Sequence, residues 1–186
     1  MGRLAHEVLI SEMRVAPATP ADLPEIRAAY AHGRALQRSQ GSLLWYEFPD
    51  SAILAEIDAG ILLRVLDGDA LVGVFSAVYE DAALWGERER GAHIYLHRIA
   101  RASTYPGRGL VDAILDWAQA RAEELGLEGL RMDTWASNDA LIAFYGKRGF
   151  ALVGRTRIPN DSPLPHYRGL ELALMERPLN FAARAK

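Results

Sequence analysis

Apolar positions along the chain change their spacing several times, and each change marks an element. Met13-Arg14-Val15 opens a short apolar strand closed by Pro17. Thr19-Pro20-Ala21-Asp22 then reads as a helix start, with Thr19 capping, Pro20 at the first helical position and Asp22 near the positive helix end. That helix is expected to run to about Gln40, before Gly41. A second, short helix fits Asp50 to Ala59, where Ile53, Leu54 and Ile57 share a face. Ile61–Leu66 and Ala70–Tyr79 are strand-type runs flanking Asp67-Gly68, the pattern of a hairpin. The charged run Glu87-Arg88-Glu89-Arg90 reads as a solvated loop tip, and Ala92 to about Arg101 as a further strand. The clearest helix follows: Leu110, Val111, Ile114, Leu115, Ala118, Ala122 and Leu125 keep helical spacing until Gly126 stops it. Leu130–Trp135 is a strand, Asn138 to about Lys147 a short helix, and strands begin at Phe150 and Leu170 on either side of a loop at Asn160–Pro165. The order β-α-α-β-β-β-α-β-α-β-β predicts an α/β (α+β) protein with a mixed sheet. Early strands are joined by hairpins and later ones by helices, so helices cover both faces.

Composition narrows the chemistry. At 186 residues the chain makes one domain, and it contains no cysteine. That excludes disulfides, thiolate metal sites and a cysteine nucleophile, and fits a reducing compartment. The net charge of −3 gives no basic excess for nucleic acid. Lys147 and Lys186 are its two lysines, and this arginine and alanine bias suits a GC-rich, bacterial source. No apolar run is long enough for a bilayer. The first residues show no secretory h-region, so a cytoplasmic protein is expected.

One stretch carries a ligand signal. In His97–Val111 a strand enters a loop with Gly107 and Gly109, and that loop opens the long helix. Glycines let backbone approach a ligand, and the free N–H groups of a first helical turn favour an anion such as pyrophosphate. A tight turn alone would also use these glycines. No Gly-Lys-Ser/Thr is present, and Asp112 stands where a dinucleotide fingerprint needs its third glycine. No His, Asp and Glu set has metal-ligand spacing, and no Gly-x-Ser-x-Gly elbow occurs.

A second stretch, Asn138-Asp139-Ala140-Leu141-Ile142-Ala143-Phe144-Tyr145-Gly146-Lys147-Arg148-Gly149-Phe150, completes the pattern. Together the two resemble the GNAT superfamily of N-acetyltransferases over roughly Met13 to Pro178. The second matches Asn-x-x-Ala/Leu-x-x-x-Tyr-x-x-x-Gly-Phe. The first matches Gln/Arg-x-x-Gly-x-Gly/Ala at Gly107, Arg108 and Gly109, but departs from it at Pro106 and Val111.

The resemblance implies a mixed, mostly antiparallel seven-stranded sheet with a V-shaped split between strands 4 and 5. It implies a domain over 13–178, an N-terminal extension at 1–12 and a C-terminal tail at 179–186. Acetyl-CoA is the implied cosubstrate and a small-molecule or peptide amine the acceptor; no metal, nucleic acid or membrane is expected, and a homodimer is allowed. Pantetheine would pair with the strand edge at Ile99, Ala100 and Arg101. The N–H groups of Gly107, Arg108, Gly109, Leu110 and Val111 would hold the pyrophosphate, with Arg101 or Arg108 supplying a cation; Pro106 has no N–H to give. Asn138 would meet the pantetheine arm, cap the short helix, or do both. Tyr145 would protonate the departing thiolate, or else pack in the core. His97 is the candidate base, with His93, Glu80, Asp133 and a water-mediated route as alternatives. An acyl-CoA-binding sensor without turnover is the competing function.

Overall fold

The structure is a computed structural model describing residues 13–43, 45–162 and 167–179. Seven strands form one sheet: β1 (Met13–Pro17), β2 (Leu62–Asp67), β3 (Ala70–Val78), β4 (His93–Arg101), β5 (Gly129–Trp135), β6 (Ala151–Arg157) and β7 (Glu171–Pro178). Their order across the sheet is β1-β2-β3-β4-β5-β7-β6. All neighbours are antiparallel except β4 and β5. That one parallel pair is where a helical crossover, α4 (Leu110–Leu125), joins consecutive strands. The mixed, mostly antiparallel sheet expected from the sequence is the one observed.

Helices cover both faces. Alternation along β2 and β3 sends Leu63 and Phe75 to one side, and Leu62 and Val74 to the other. The first side packs on α4 through Ile114, Leu115 and Ala118, and on α5 (Asp139–Gly146) through Tyr145. Trp117 of α4 meets Phe75 edge-on at 5.4 Å between ring centres. The other side packs on α1 (Leu23–Ser39) and α2 (Asp50–Asp58) through Ile26, Tyr30, Ile53 and Ile57.

The start of α1 differs in detail. Pro20–Asp22 forms a 3-10 turn before the α-helix proper. The Asp22 carboxylate accepts from the Thr19 N–H (2.6 Å) and hydroxyl (2.8 Å), and pairs with Arg64 of β2 at 2.6 Å. Those partners, against the cost of burial, hold its pKa below the usual carboxylate range.

Between β3 and β4 the charged run Glu87–Arg90 is largely exposed, as expected, but the residues before it are structured, which the sequence pattern does not foresee. The connection folds into a short helix, α3 (Ala82–Trp85), and a 3-10 turn at Gly86–Arg88. Leu84 and Trp85 are buried, and the Arg131 guanidinium lies 4.4 Å over the Trp85 ring. Glu89 closes the segment by accepting from the N–H groups of Asp81 (2.8 Å) and Gly91 (2.6 Å). Four residues are too few to show helical spacing in a sequence.

The extension at 1–12 and residues 180–186 of the tail lie outside the described residues. No helix among the described residues is long and apolar enough to cross a membrane.

Candidate active site

The parallel pairing of β4 with β5 runs from His93–Gly129 only to Leu96–Met132. Both strands continue past that point, to Arg101 and Trp135. Beyond Leu96 the far edge of β4 still pairs with β3, at Val74–Ala100 and Gly73–Arg101, so its β5-facing edge is unpaired over Ile99, Ala100 and Arg101. This is the split expected between strands 4 and 5. A bulge sets it: Ser76 pairs with His97 but Val74 with Ala100, leaving Arg98 and Ile99 opposite Phe75 alone. Arg98 takes up the extra residue at φ +51°, the one left-handed non-glycine among the described residues.

A cavity of about 620 Å³ fills the split and reaches the loop before α4. At that end Gly107 has φ +83°, and a Cβ there would lie 2.7 Å from Arg101 Cδ. Gly109 caps α4 at φ +74°, and its carbonyl takes the first helical bond, from the Ala113 N–H at 2.9 Å. The N–H groups of the first helical turn are left without helical partners, as an anion site requires. Asp112 in that turn would oppose an anion, but Arg148 engages its carboxylate at 2.7 and 3.3 Å. Arg101 also braces the loop, because its guanidinium donates to the carbonyls of Tyr105 and Ala102 and draws the turn together. Arg108 is exposed, and its carbonyl accepts from the Tyr105 hydroxyl at 2.8 Å.

Across the cavity, α5 supplies Asn138 and Tyr145. The Asn138 side chain accepts from the Leu141 N–H at 3.0 Å, so it caps α5, and it also lines the cavity. Tyr145 lines the cavity while its ring packs on Phe144 and Phe150, 5.2 and 5.9 Å away. Its hydroxyl has no hydrogen-bond partner among the described residues. Burial pushes its pKa up to about 12, with Arg148 opposing weakly, so the phenol keeps its proton at neutral pH.

His97 sits where the strands part, and both its ring nitrogens are engaged. Nδ1 lies 3.2 Å from Asp133 on β5, and Nε2 3.3 Å from Asp81. Asp81 also caps α3 through the Leu84 N–H (3.3 Å), so the unforeseen helix positions a carboxylate at the site. Burial alone would lower the imidazole pKa. Hydrogen bonds and charge from Asp133 and Asp81 overcome it and raise the value to about 9. The two carboxylates therefore favour the charged imidazolium over the free base. No spacing in the sequence suggested a metal set, yet Asp81, His97 and Asp133 bring ligand atoms within 4.8 Å of one another. The carboxylates meet opposite ring nitrogens, and a metal takes only one of the two, so the arrangement suits a clamped imidazolium better than a cation site. His93, the other strand histidine, is buried; burial lowers its pKa, and its Nε2 faces Glu176 at 3.7 Å, away from the cavity lining. Glu80 does not line the cavity; Asp133 does.

The remaining wall includes Trp45 from the α1–α2 connection, Trp135 at the end of β5, and Tyr167. Trp45, between α1 and α2, seats its ring against Gly33, and its backbone N–H donates to Gln37 Oε1 at 2.9 Å. Trp135 donates its Nε1–H to the Leu43 carbonyl at 3.1 Å and meets Tyr167 at 5.6 Å between ring centres.

Comparison with known proteins accords with this geometry. The family model of the acetyltransferase (GNAT) family matches residues 25–150, more than half of the chain. The chain belongs to the GNAT family. A curated relative, the uncharacterised N-acetyltransferase YesJ of Bacillus subtilis (strain 168), is 35% identical over 74 residues, 40% of this chain and 41% of that protein. The match thus spans about two fifths of that relative's length. Among solved structures, a GNAT-family acetyltransferase from Listeria monocytogenes 4b F2365 superposes with a TM-score of 0.69 at 21% identity, covering 90% of this chain and 95% of that one. The yncA protein from Salmonella typhimurium, a putative acetyltransferase solved with acetyl-CoA, gives 0.61 at 19% identity, covering 94% and 98%. These structures share the GNAT fold with the chain.

Proposed function

We propose that the protein is an acetyl-CoA-dependent N-acetyltransferase that passes the acetyl group directly to a primary amine. The observation that carries this reading is the unpaired β4 edge from Ile99 to Arg101, which leads into the glycine loop on one side and faces Tyr145 on the other. An edge strand offers N–H and C=O groups to an amide-containing arm, as pantetheine is. The loop and the first turn of α4 offer N–H groups to its pyrophosphate. The cradle fits: side chains at Gly107 and Gly109 would need left-handed backbone, and at Gly107 would strike Arg101.

The chemistry then follows from the groups present. An amine nitrogen attacks the thioester carbonyl, a C–N bond forms, and the C–S bond breaks. Tyr145 is the acid for the departing thiolate. Burial that raises the phenol pKa also raises the proton affinity of a thiolate placed beside it, so the two remain matched. The carboxylates beside His97 favour its protonated form, so the acceptor loses its proton to water, and the role of the imidazolium is electrostatic.

Calorimetry with acetyl-CoA, followed by a thiol-release assay over a panel of amines, tests the proposal. Binding together with thiol release that depends on the amine is the expected result. Binding without release from any amine would instead identify an acyl-CoA sensor.

A further inference from the structure

We propose that Arg98 is a positioning residue: anchored to Glu56 and Ser76, its side chain fixes the β4 bulge that decides which way Ile99, Ala100 and Arg101 face. This rests on the acetyltransferase reading above. The bulge reverses the sidedness of β4. Ahead of it, Ile94 and Leu96 pack on the α4 side, so unbroken alternation would carry the following even-numbered residues to that face. Behind it, Ile99 packs on the α4 side, while Ala100 packs with Val74, Ile53 and Ile57 on the α1–α2 side. Arg101 follows the new phase, and its guanidinium reaches the Tyr105 and Ala102 carbonyls of the glycine loop. A β4 without the bulge would put Arg101 on the α1–α2 face, away from that loop.

The bulge carries backbone strain, and the side chain offsets it. Arg98 adopts φ +51°, where a side chain is disfavoured and glycine is not. What arginine brings and glycine lacks is an anchor on two other elements. Its Nη2 meets Glu56 Oε1 on α2 and donates to the Ser76 hydroxyl of β3 at 3.0 Å. Ser76 in turn donates to Glu56 Oε2 at 3.2 Å, which closes a ring of three contacts across α2, β3 and β4. Ser76 also pairs with His97 at the edge of the register shift, so the ring straddles the bulge. The guanidinium lies 4.8 Å over the Phe48 ring, and the Arg98 and Glu56 side chains are 15% and 21% exposed. An ion pair with so little water is costly to break on one side, because the remaining charge stays unpaired. Straightening β4 would break it. Arg98 itself lines the cavity, but Glu56 and Ser76 do not. A change at Glu56 therefore reaches the reaction through Arg98, which separates positioning from direct contact with an acceptor.

The test compares wild type with Glu56→Gln, checked for folding by circular dichroism. Amide hydrogen exchange, followed by mass spectrometry without any ligand, should quicken about tenfold across residues 98–102, while residues 94–96, paired with both β3 and β5 or flanked by them, stay near wild type. A role in overall stability alone would not confine the change to one segment. Calorimetry should show acetyl-CoA binding weakened about tenfold, and thiol release a kcat lowered by up to about 10²-fold with amine KM little changed, the scale of a misplacement of about 1 Å. Arg98→Met should lose at least as much, and adding Glu56→Gln to it should cost nothing more, because both act through one contact. Unchanged exchange at 98–102, or wild-type acetyl-CoA affinity, overturns the proposal. So does an effect confined to amine KM, which would make Arg98 an acceptor contact, and so do additive losses in the double variant. Absence of acetyl-CoA binding by the wild type would overturn the acetyltransferase reading instead, a separate outcome that leaves hydrogen exchange to decide the role of Arg98. If Glu56→Gln does not fold, Ser76→Ala, which keeps both charges, takes its place, with the same readouts expected to move in the same direction.

Discussion

Replacing His97 by glutamine removes the cation that joins three separate elements: β4 carries His97, β5 carries Asp133, and the turn into α3 carries Asp81. The imidazole pKa is ordinarily 6.5 and stands at about 9 in the fold, a difference of about 3 kcal/mol in favour of the charged form. His97 is only 19% exposed, so water screens little of this, and about 3 kcal/mol is an upper figure. The sign follows from the direction of the shift. A group whose pKa is higher in the folded protein stabilises fully below 6.5 and loses that contribution as pH rises through 9. Urea unfolding of wild type and His97→Gln should therefore show the largest gap near pH 6.5 and a steadily smaller one toward pH 10. Imidazole NMR resonances of the wild type should titrate with a midpoint near 9. A midpoint at or below 6.5, or a stability gap that does not change between pH 7 and 10, would refute the clamp and restore His97 as a candidate base.

Two further substitutions probe the walls of the cavity. Tyr145→Phe keeps the ring packing on Phe144 and Phe150 but removes the hydroxyl; kcat should fall by roughly 10²-fold with acetyl-CoA affinity nearly unchanged, measured by thiol release and calorimetry. Near-normal kcat in a folded Tyr145→Phe protein would leave Tyr145 a packing residue, provided chemistry limits turnover. Gly109→Glu should abolish acetyl-CoA binding in calorimetry. Gly109→Ala is the control: it meets the same strain at φ +74° and finds only Met13 Cε, at 3.6 Å, so the difference between the two isolates the charge beside the phosphates. If both variants bind alike, the pyrophosphate lies elsewhere.

Much of this architecture could be read along the chain, because it rests on local rules. Helical spacing from Leu110 to Leu125, the Asp67-Gly68 turn, the glycines ahead of α4 and the run from Asn138 to Phe150 are determined by neighbours a few residues apart. They carry the seven strands, the long helix, the glycine loop and the place of Tyr145. What joins distant segments was decided only by the tertiary structure. Asp81, His97 and Asp133 meet because α3 folds back and β5 lies beside β4, and no spacing in the sequence encodes that contact. The ionisation of His97 changes accordingly: its neighbours in sequence suggest a free strand histidine, while its neighbours in space favour the imidazolium. Trp45 from the α1–α2 connection, Trp135 from the end of β5 and Tyr167 from the β6–β7 connection likewise line one cavity only because the folded sheet brings them together. Short-range periodicity sets which elements form, but the charge of a site depends on through-space distances of a few ångströms, and the fold alone supplies those.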